Sequence, residues 1–294
     1  MPKERPRAGP FQALRHRDFA KVWSAGLISQ TGDYLLLIGL PFFVFRLTGS
    51  VLATGTMFLV ALLPPIFLGS VAGVFVDRWS RKWTMVTTNL VLGVGLLPLL
   101  LVTTPDRLWI VYLVALFEAC VDPFLSPAEG ALIPQLVPAH DLVSANALYG
   151  SSRQIARLVG AAAGGLVVGI WGLSGVAGLD AITFWAAAGL VSQIDELRPP
   201  LLRASGAMRE GFRRLASKFR DEWVEGLRIA TRSVPARALL VFTLLISVGE
   251  GVVTTLFAPF IVGVLRGSGP DFGAFVGLQA VGGIVGALAA SSLG

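Results

Sequence analysis

Cysteine and histidine are nearly missing from this chain, with one Cys and two His in 294 residues. The single Cys120 excludes an intrachain disulfide and any metal site built from cysteines. His16 and His140 both fall in short polar segments, so a histidine-ligated metal centre is not expected. No cofactor is expected either, because the sequence has no P-loop, nucleophile elbow or metal-ligand cluster. An enzyme is therefore the least favoured class. Charge is scarce as well: charged residues make up 14% of the chain, against roughly 25% in soluble domains, which argues against a water-solvated globule. What the chain has instead is apolar side chains, 54% of the total, and a mean hydropathy of +0.72. Its apolar runs reach about 20 residues, the length that crosses a bilayer core. The lipid bilayer is its expected solvent.

The few charges are unevenly placed. A net charge of +6 and an isoelectric point near 10.1 fit either a nucleic-acid partner or a membrane protein with basic cytoplasmic loops, and position decides between them. Of the 24 basic residues, six lie at the N-terminal end through Lys21, three are Arg78, Arg81 and Lys82, and ten lie from Arg198 to Arg237. Only Arg46, Arg107 and Arg266 occupy the alternate connections. This asymmetry follows the positive-inside rule. It puts the N-terminus, the turn at Asp77 and the 195–235 segment in the cytoplasm, and no nucleic-acid partner is needed to explain the charge. The first apolar run is too long for a signal-peptide core and reads as a helix that stays in the protein.

Hydrophobic runs predict eight spans, at about 19–45, 52–76, 83–103, 108–133, 144–170, 173–194, 236–264 and 271–293. The short connections carry turn residues such as Thr48-Gly49-Ser50, Thr104-Pro105-Asp106 and Gly172 to Gly175. The organisation is thus a cytoplasmic segment 1–18, a six-helix bundle 19–194, a basic connector 195–235 and two further helices 236–294. In the connector Phe212, Leu215, Phe219 and Trp223 recur at helical spacing, which predicts an amphipathic helix against the membrane or bundle, with a solvated linker as the alternative.

Six spans, a connector and more spans is the layout of a transporter built from parallel six-helix repeats. Gly32-Asp33, Pro41-Phe42 and Arg46 through Gly49-Ser50 recur as Gly249-Glu250, Pro259-Phe260 and Arg266-Gly267-Ser268, at offsets of 217 (249 minus 32) and 218 (259 minus 41). On that register the chain ends just before the position matching Asp77, and four helices of a second repeat are expected to be supplied by missing sequence or by another copy.

Ionisable groups inside spans are costly and mark sites by default. Asp33 in span one and Glu250 in span seven are the proton- or cargo-coupling candidates, since a desolvated carboxylate can take up and release a proton; structural pairing is the alternative for each. Glu118 and Asp122 share one face of span four, and Arg153 and Arg157 share one face of span five. Both cross-pairings have the same antiparallel register (122 plus 153 and 118 plus 157), so two buried ion pairs are geometrically possible and are favoured over transport chemistry at these residues, with Pro123 and Pro127 as places where span four can bend out of that register. Ala156, Gly160, Gly164 and Gly165 form a stripe of small residues suited to close helix packing.

The segment Gly73-Val-Phe-Val-Asp77-Arg78-Trp-Ser-Arg81-Lys82 resembles the loop between helices two and three of the major facilitator superfamily, G-x-x-x-D-R-x-G-R-[RK], with Ser80 at the loop glycine. RLTGS at 46–50, SPAEGALIPQLVP at 126–138, SANAL at 144–148 and LDAITF at 179–184 resemble its macrolide-efflux and enterobactin-exporter-like branch, and the likeness covers about 11–294. The resemblance implies an all-α polytopic membrane protein of the inner or plasma membrane: a six-helix bundle plus the first two helices of a second. It implies alternating-access export of a small, partly apolar cargo, with protons as the coupling partner. Gly73, Asp77, Arg78, Arg81 and Lys82 are then the gating loop, with a simple topogenic turn as the alternative. Gln30, Asp33, Leu37, Phe124 and Glu250 are the expected cargo-lining residues. The span-five element of the family's drug antiporters is only partly present, with Ala161 in its Pro place, and span four lacks the usual Arg, so Asp33 is the local support for proton coupling. An uncoupled facilitator or importer, and a non-transporting membrane scaffold or sensor, remain the rival readings.

Overall fold

A computed structural model describes residues 11–76, 79–195 and 233–293, together with Glu225, Arg228 and Thr231. The described residues form helices and no strands. Helix α1 (Arg17–Thr48) ends at Gly49, whose φ of 64° puts it in the left-handed region that favours glycine, and whose N–H reaches the Phe45 carbonyl at 2.7 Å. Helix α2 (Val51–Val76) starts on the Ser50 hydroxyl, which accepts from the Ala53 N–H at 3.2 Å. Helix α3 (Arg81–Gly95) starts at Ser80, which accepts from the Trp83 N–H, and runs on as a 3-10 turn at Leu97–Leu101.

The predicted fourth span is a broken rod: α4 (Leu108–Val121), a 3-10 turn at Asp122–Phe124 and α5 (Leu125–Leu136). Pro123 has no N–H to continue the α-helical ladder, which places the break there. The fifth and sixth spans are the two limbs of α6 (Leu142–Ser192), 142–171 and 173–192. They meet at Gly172, with φ 64° and ψ −160°. The predicted turn from Gly172 to Gly175 is therefore a single-residue hinge. Helix α7 (Val234–Pro259) passes into a π-turn at Phe260–Val264, and α8 (Gly269–Leu293) follows. Six helical segments among the described residues are long and apolar enough to cross a membrane, one of them holding both limbs of α6. The apolar residues proposed for the connector helix, Phe212, Leu215, Phe219 and Trp223, lie outside the described residues.

Helix α1 packs along both limbs of α6; α3 lies on α6 and α5, α2 on α4, and α8 on α6. Lipid is as apolar as a leucine face, so close approach rather than burial selects these neighbours. The small-residue stripe does this. A Cβ at Gly160 would strike the Thr31 carbonyl and lie 2.7 Å from Tyr34 Cβ, and one at Gly164 would lie 2.8 Å from the Leu35 carbonyl. Ala156 is fully buried in the same row. Gly165 meets Gly273 of α8 backbone to backbone.

One end of the bundle is tied by polar links. Lys21 Nζ donates to the Gln193 carbonyl at 2.7 Å and Lys82 Nζ to the Ile194 carbonyl at 2.6 Å, so two lysines satisfy carbonyls just beyond the end of α6 that have no partner within the helix. His16 Nε2 sits 2.8 Å from the buried Asp141, and Trp23 Nε1 donates to the Leu148 carbonyl at 3.1 Å.

Candidate functional site

Three cavities of about 320, 290 and 590 Å³ meet on one face of α1. Gln30, Asp33 and Leu37 follow the three-to-four residue helical spacing and so project to the same side. Leu37 borders all three cavities, Asp33 the first two, and Tyr34 the first and third. The first cavity is the most polar of the three, with Gln30, Asn89, Glu129, Tyr149 and Arg153 on its wall. The second is largely apolar, with Leu36, Leu40, Met57, Phe58, Leu92 and Phe184, but Glu118 and Asp122 join Asp33 there. The third lies between α1, α6, α7 and α8 and holds Arg157, Gly249, Glu250 and Gln279.

The acidic residues gather around Asp33. Glu118 from α4, Asp122 from the 3-10 turn and Asp180 from the second limb of α6 belong to one electrostatically interacting group with it. Asp180 is fully buried; its Oδ1 accepts from Thr183 Oγ1 at 3.2 Å and its Oδ2 has no partner among the described residues. The interface is tight enough that a Cβ on Gly32 would run into Asp180 Oδ1 and Thr183 Oγ1. Sequence reading missed Asp180, although an acidic residue within the sixth apolar span meets the same criterion that marked Asp33. It also missed Asn89 and Tyr149, which carry no charge. Glu129 is buried and accepts from the Tyr149 hydroxyl.

The predicted ion pairs do not form. Among the described residues no salt bridge joins Glu118 or Asp122 to Arg153 or Arg157. Glu118 and Asp122 do share a face, but it turns toward Asp33 and the apolar cavity; Asp122 and the exposed Arg153 border the first cavity without a salt bridge, and the exposed Arg157 borders the third, away from Glu118. Arg153 still acts on Asp122 and Glu129 through space. Charges that face open space need no direct partner, which removes the burial argument on which the pairing rested. Phe124 borders none of the three cavities; its ring stacks on Trp79 at 6.1 Å. Of the loop residues, Asp77 and Arg78 lie outside the described residues. Gly73 is half-buried in α2, Arg81 opens α3, and the Lys82 amine caps α6.

A family profile described as the Major Facilitator Superfamily matches residues 22–294. The chain belongs to that superfamily. Membership in the Major Facilitator Superfamily points to a multi-pass membrane transporter rather than an enzyme, and the cluster of cavities against α1 fits that class. The chain is 26% identical to macrolide efflux protein A of Streptococcus pyogenes over 166 residues, which is 56% of this chain and 41% of the relative. It is 31% identical over 179 residues to an uncharacterized MFS-type transporter of Mycobacterium tuberculosis, covering 58% of this chain and 39% of that protein. With the Bacillus subtilis MFS-type transporter YfiS it shares 25% identity over 162 residues, covering 55% and 38% of the two chains. The matched segments thus span about two fifths of the length of these relatives.

Proposed function

We propose that this chain belongs to an efflux permease that exports a small, partly apolar molecule by alternating access in exchange for protons. The observation that carries the reading is the position of Asp33, on the wall shared by a polar and an apolar cavity in the middle of α1. A carboxylate there is reached by protons from the polar side and by cargo from the apolar side, so the two compete for one group. Gln30 lines the polar cavity and Leu37 all three, and Glu250 borders the third from α7. The likeness to macrolide efflux protein A supports export as the direction.

In this reading the protein sits in the inner or plasma membrane with its N-terminus in the cytoplasm, as the basic segments require. The loop from Gly73 to Lys82 gates the cytoplasmic side, and the exposed sides of α7 and α8 pack against further helices of a second bundle or against another copy. The test is efflux of a macrolide and dye panel from cells expressing the longest form the gene encodes, with Asp33→Asn alongside. Efflux is expected to fall by about tenfold or more in the variant and when the pH gradient is collapsed. Efflux that ignores both would leave a facilitator, and no efflux of any panel member would favour the scaffold.

A further inference from the structure

The third cavity carries a fixed positive charge that no carboxylate of the described residues neutralises. Arg157 stands in the middle of the first limb of α6, 14 and 15 residues from its ends (171 minus 157 and 157 minus 142). At the helical rise that is roughly 20 Å, farther than its side chain reaches toward the water on either side of a membrane. Arg157 is exposed, borders the cavity and makes no salt bridge among the described residues. Glu250 is the one acidic residue described on the same wall, and it too has no salt bridge. The two are not alike: a carboxylate can shed its charge by taking up a proton, whereas a guanidinium stays charged in proteins. Within a membrane the space before Arg157 is walled by low-dielectric material, so its charge acts on an entering ion far more strongly than at a wet surface. The cavity, about 590 Å³, is within the size range of ligand sites, and Gln279 of α8 adds an amide donor to its wall. Asp33, Glu118 and Asp122 do not border it, but it shares Leu37 and Phe58 with the apolar cavity. An acid group at Arg157 is thus set apart from the acidic cluster, while an apolar body can run past Leu37 and Phe58.

We infer that the third cavity is a subsite for the acid group of an amphipathic organic anion: Arg157 donates two guanidinium N–H groups to its carboxylate, Gln279 borders it, and the apolar cavity takes its body. The inference rests on the proposed reading of these cavities as the cargo path and names the class of cargo.

Three probes with one apolar body separate the contributions: 4-phenylbutyrate, the neutral 4-phenylbutyramide and 4-phenylbutylammonium. Their affinities are measured by titration calorimetry on the longest form the gene encodes, purified in phosphatidylcholine nanodiscs, with the heat from empty nanodiscs subtracted. The butyrate is expected to bind about tenfold or more tighter than the amide, and the ammonium weakest. Arg157→Gln is expected to bring butyrate and amide within about threefold of each other. Arg157→Lys keeps the charge without the planar fork, so it is expected to keep only part of the gap, and it reads the same group if the neutral variant does not fold. Glu250→Gln removes the one like charge on the wall and is expected to tighten the butyrate severalfold. Equal affinity for butyrate and amide overturns the inference, as does tightest binding by the ammonium or a gap undiminished in both Arg157 variants. Because binding is read without flux, a clear butyrate preference with no efflux leaves this site standing and removes the export reading, whereas efflux without that preference does the opposite.

Discussion

Helices α1 and α7 carry the same sequence marks, a Gly-acid pair, a Pro-Phe pair and an Arg before the turn, yet their surroundings differ. Half of the most apolar window of α1 is buried, whereas none of that of α7 is. Phe42 is 2% exposed and packs on Phe272 of α8 at 5.6 Å, while its counterpart Phe260 is 48% exposed. Gly32 is pressed onto Asp180 and Thr183, while Gly249 has nothing within 4 Å of where a Cβ would lie. The marks therefore do not themselves create a buried helix. Neighbours do, and α1 has both limbs of α6.

The largest expected effect tests this contrast at the two glycines. Asp180 and Thr183 are short, bonded to each other and enclosed, so Gly32→Val is relieved only by separating α1 from α6, at a cost of about 3 kcal/mol. Gly249→Val is expected to stay within about 0.5 kcal/mol. Denaturant unfolding of the two variants in micelles checks this, and equal losses would mean that α7 is as tightly held as α1.

A smaller effect is expected at the polar ties. Lys21→Met and Lys82→Met each remove an ammonium from the carbonyls that follow α6, for about 1 kcal/mol apiece. Arg237→Met, at the exposed start of α7, is expected to change stability by less than about 0.5 kcal/mol. Thermal unfolding of the three variants sharpens the comparison; a loss at Arg237 matching that at Lys82 would show that α7 has a tie of its own.

The spans were legible because lipid imposes a long apolar run on every crossing helix, and the small-residue stripe because close packing excludes larger side chains. Asp33 was legible as a charge inside a span, and Gln30 and Leu37 were named with it as lining residues without their common face being read. The break at Pro123 was only half legible: a proline marks a possible kink but does not say which way the carboxylates before it turn. That is why Glu118 and Asp122 were assigned to the arginines rather than to α1. Asn89 and Tyr149 gave no signal, since polar uncharged residues inside spans are common and only their cavity gives them a role. Phe124 failed for the opposite reason: an aromatic near a predicted chamber packs as readily on another aromatic, here Trp79.

The smallest effect concerns how the repeat-related turns start the next helix. Ser50 and Ser268 are equivalent at the offset of 218 (268 minus 50), but they use opposite halves of one capping device. At α2 the Ser50 hydroxyl accepts from the Ala53 N–H at 3.2 Å, three residues on. At α8 the residue three on is Asp271, and its carboxylate reaches back to accept from the Ser268 N–H at 2.8 Å and the Ser268 hydroxyl at 2.6 Å. A full capping box uses both directions at once, so each turn has half of it. Ser50→Ala and Asp271→Ala are each expected to cost about 1 kcal/mol or less locally. The Thr48 hydroxyl already accepts from the Ser50 N–H at 3.1 Å, so Thr48→Val is expected to speed exchange of the Ser50 amide severalfold and adding Ala53→Asp to restore it, because the new carboxylate then accepts from that N–H as Asp271 does at Ser268. Hydrogen exchange of the two serine amides reads this directly. A Ser50 amide that stays fast in Thr48→Val with Ala53→Asp, beside a faster Ser268 amide in Asp271→Ala, would mean that the two turns share a sequence but not a backbone geometry.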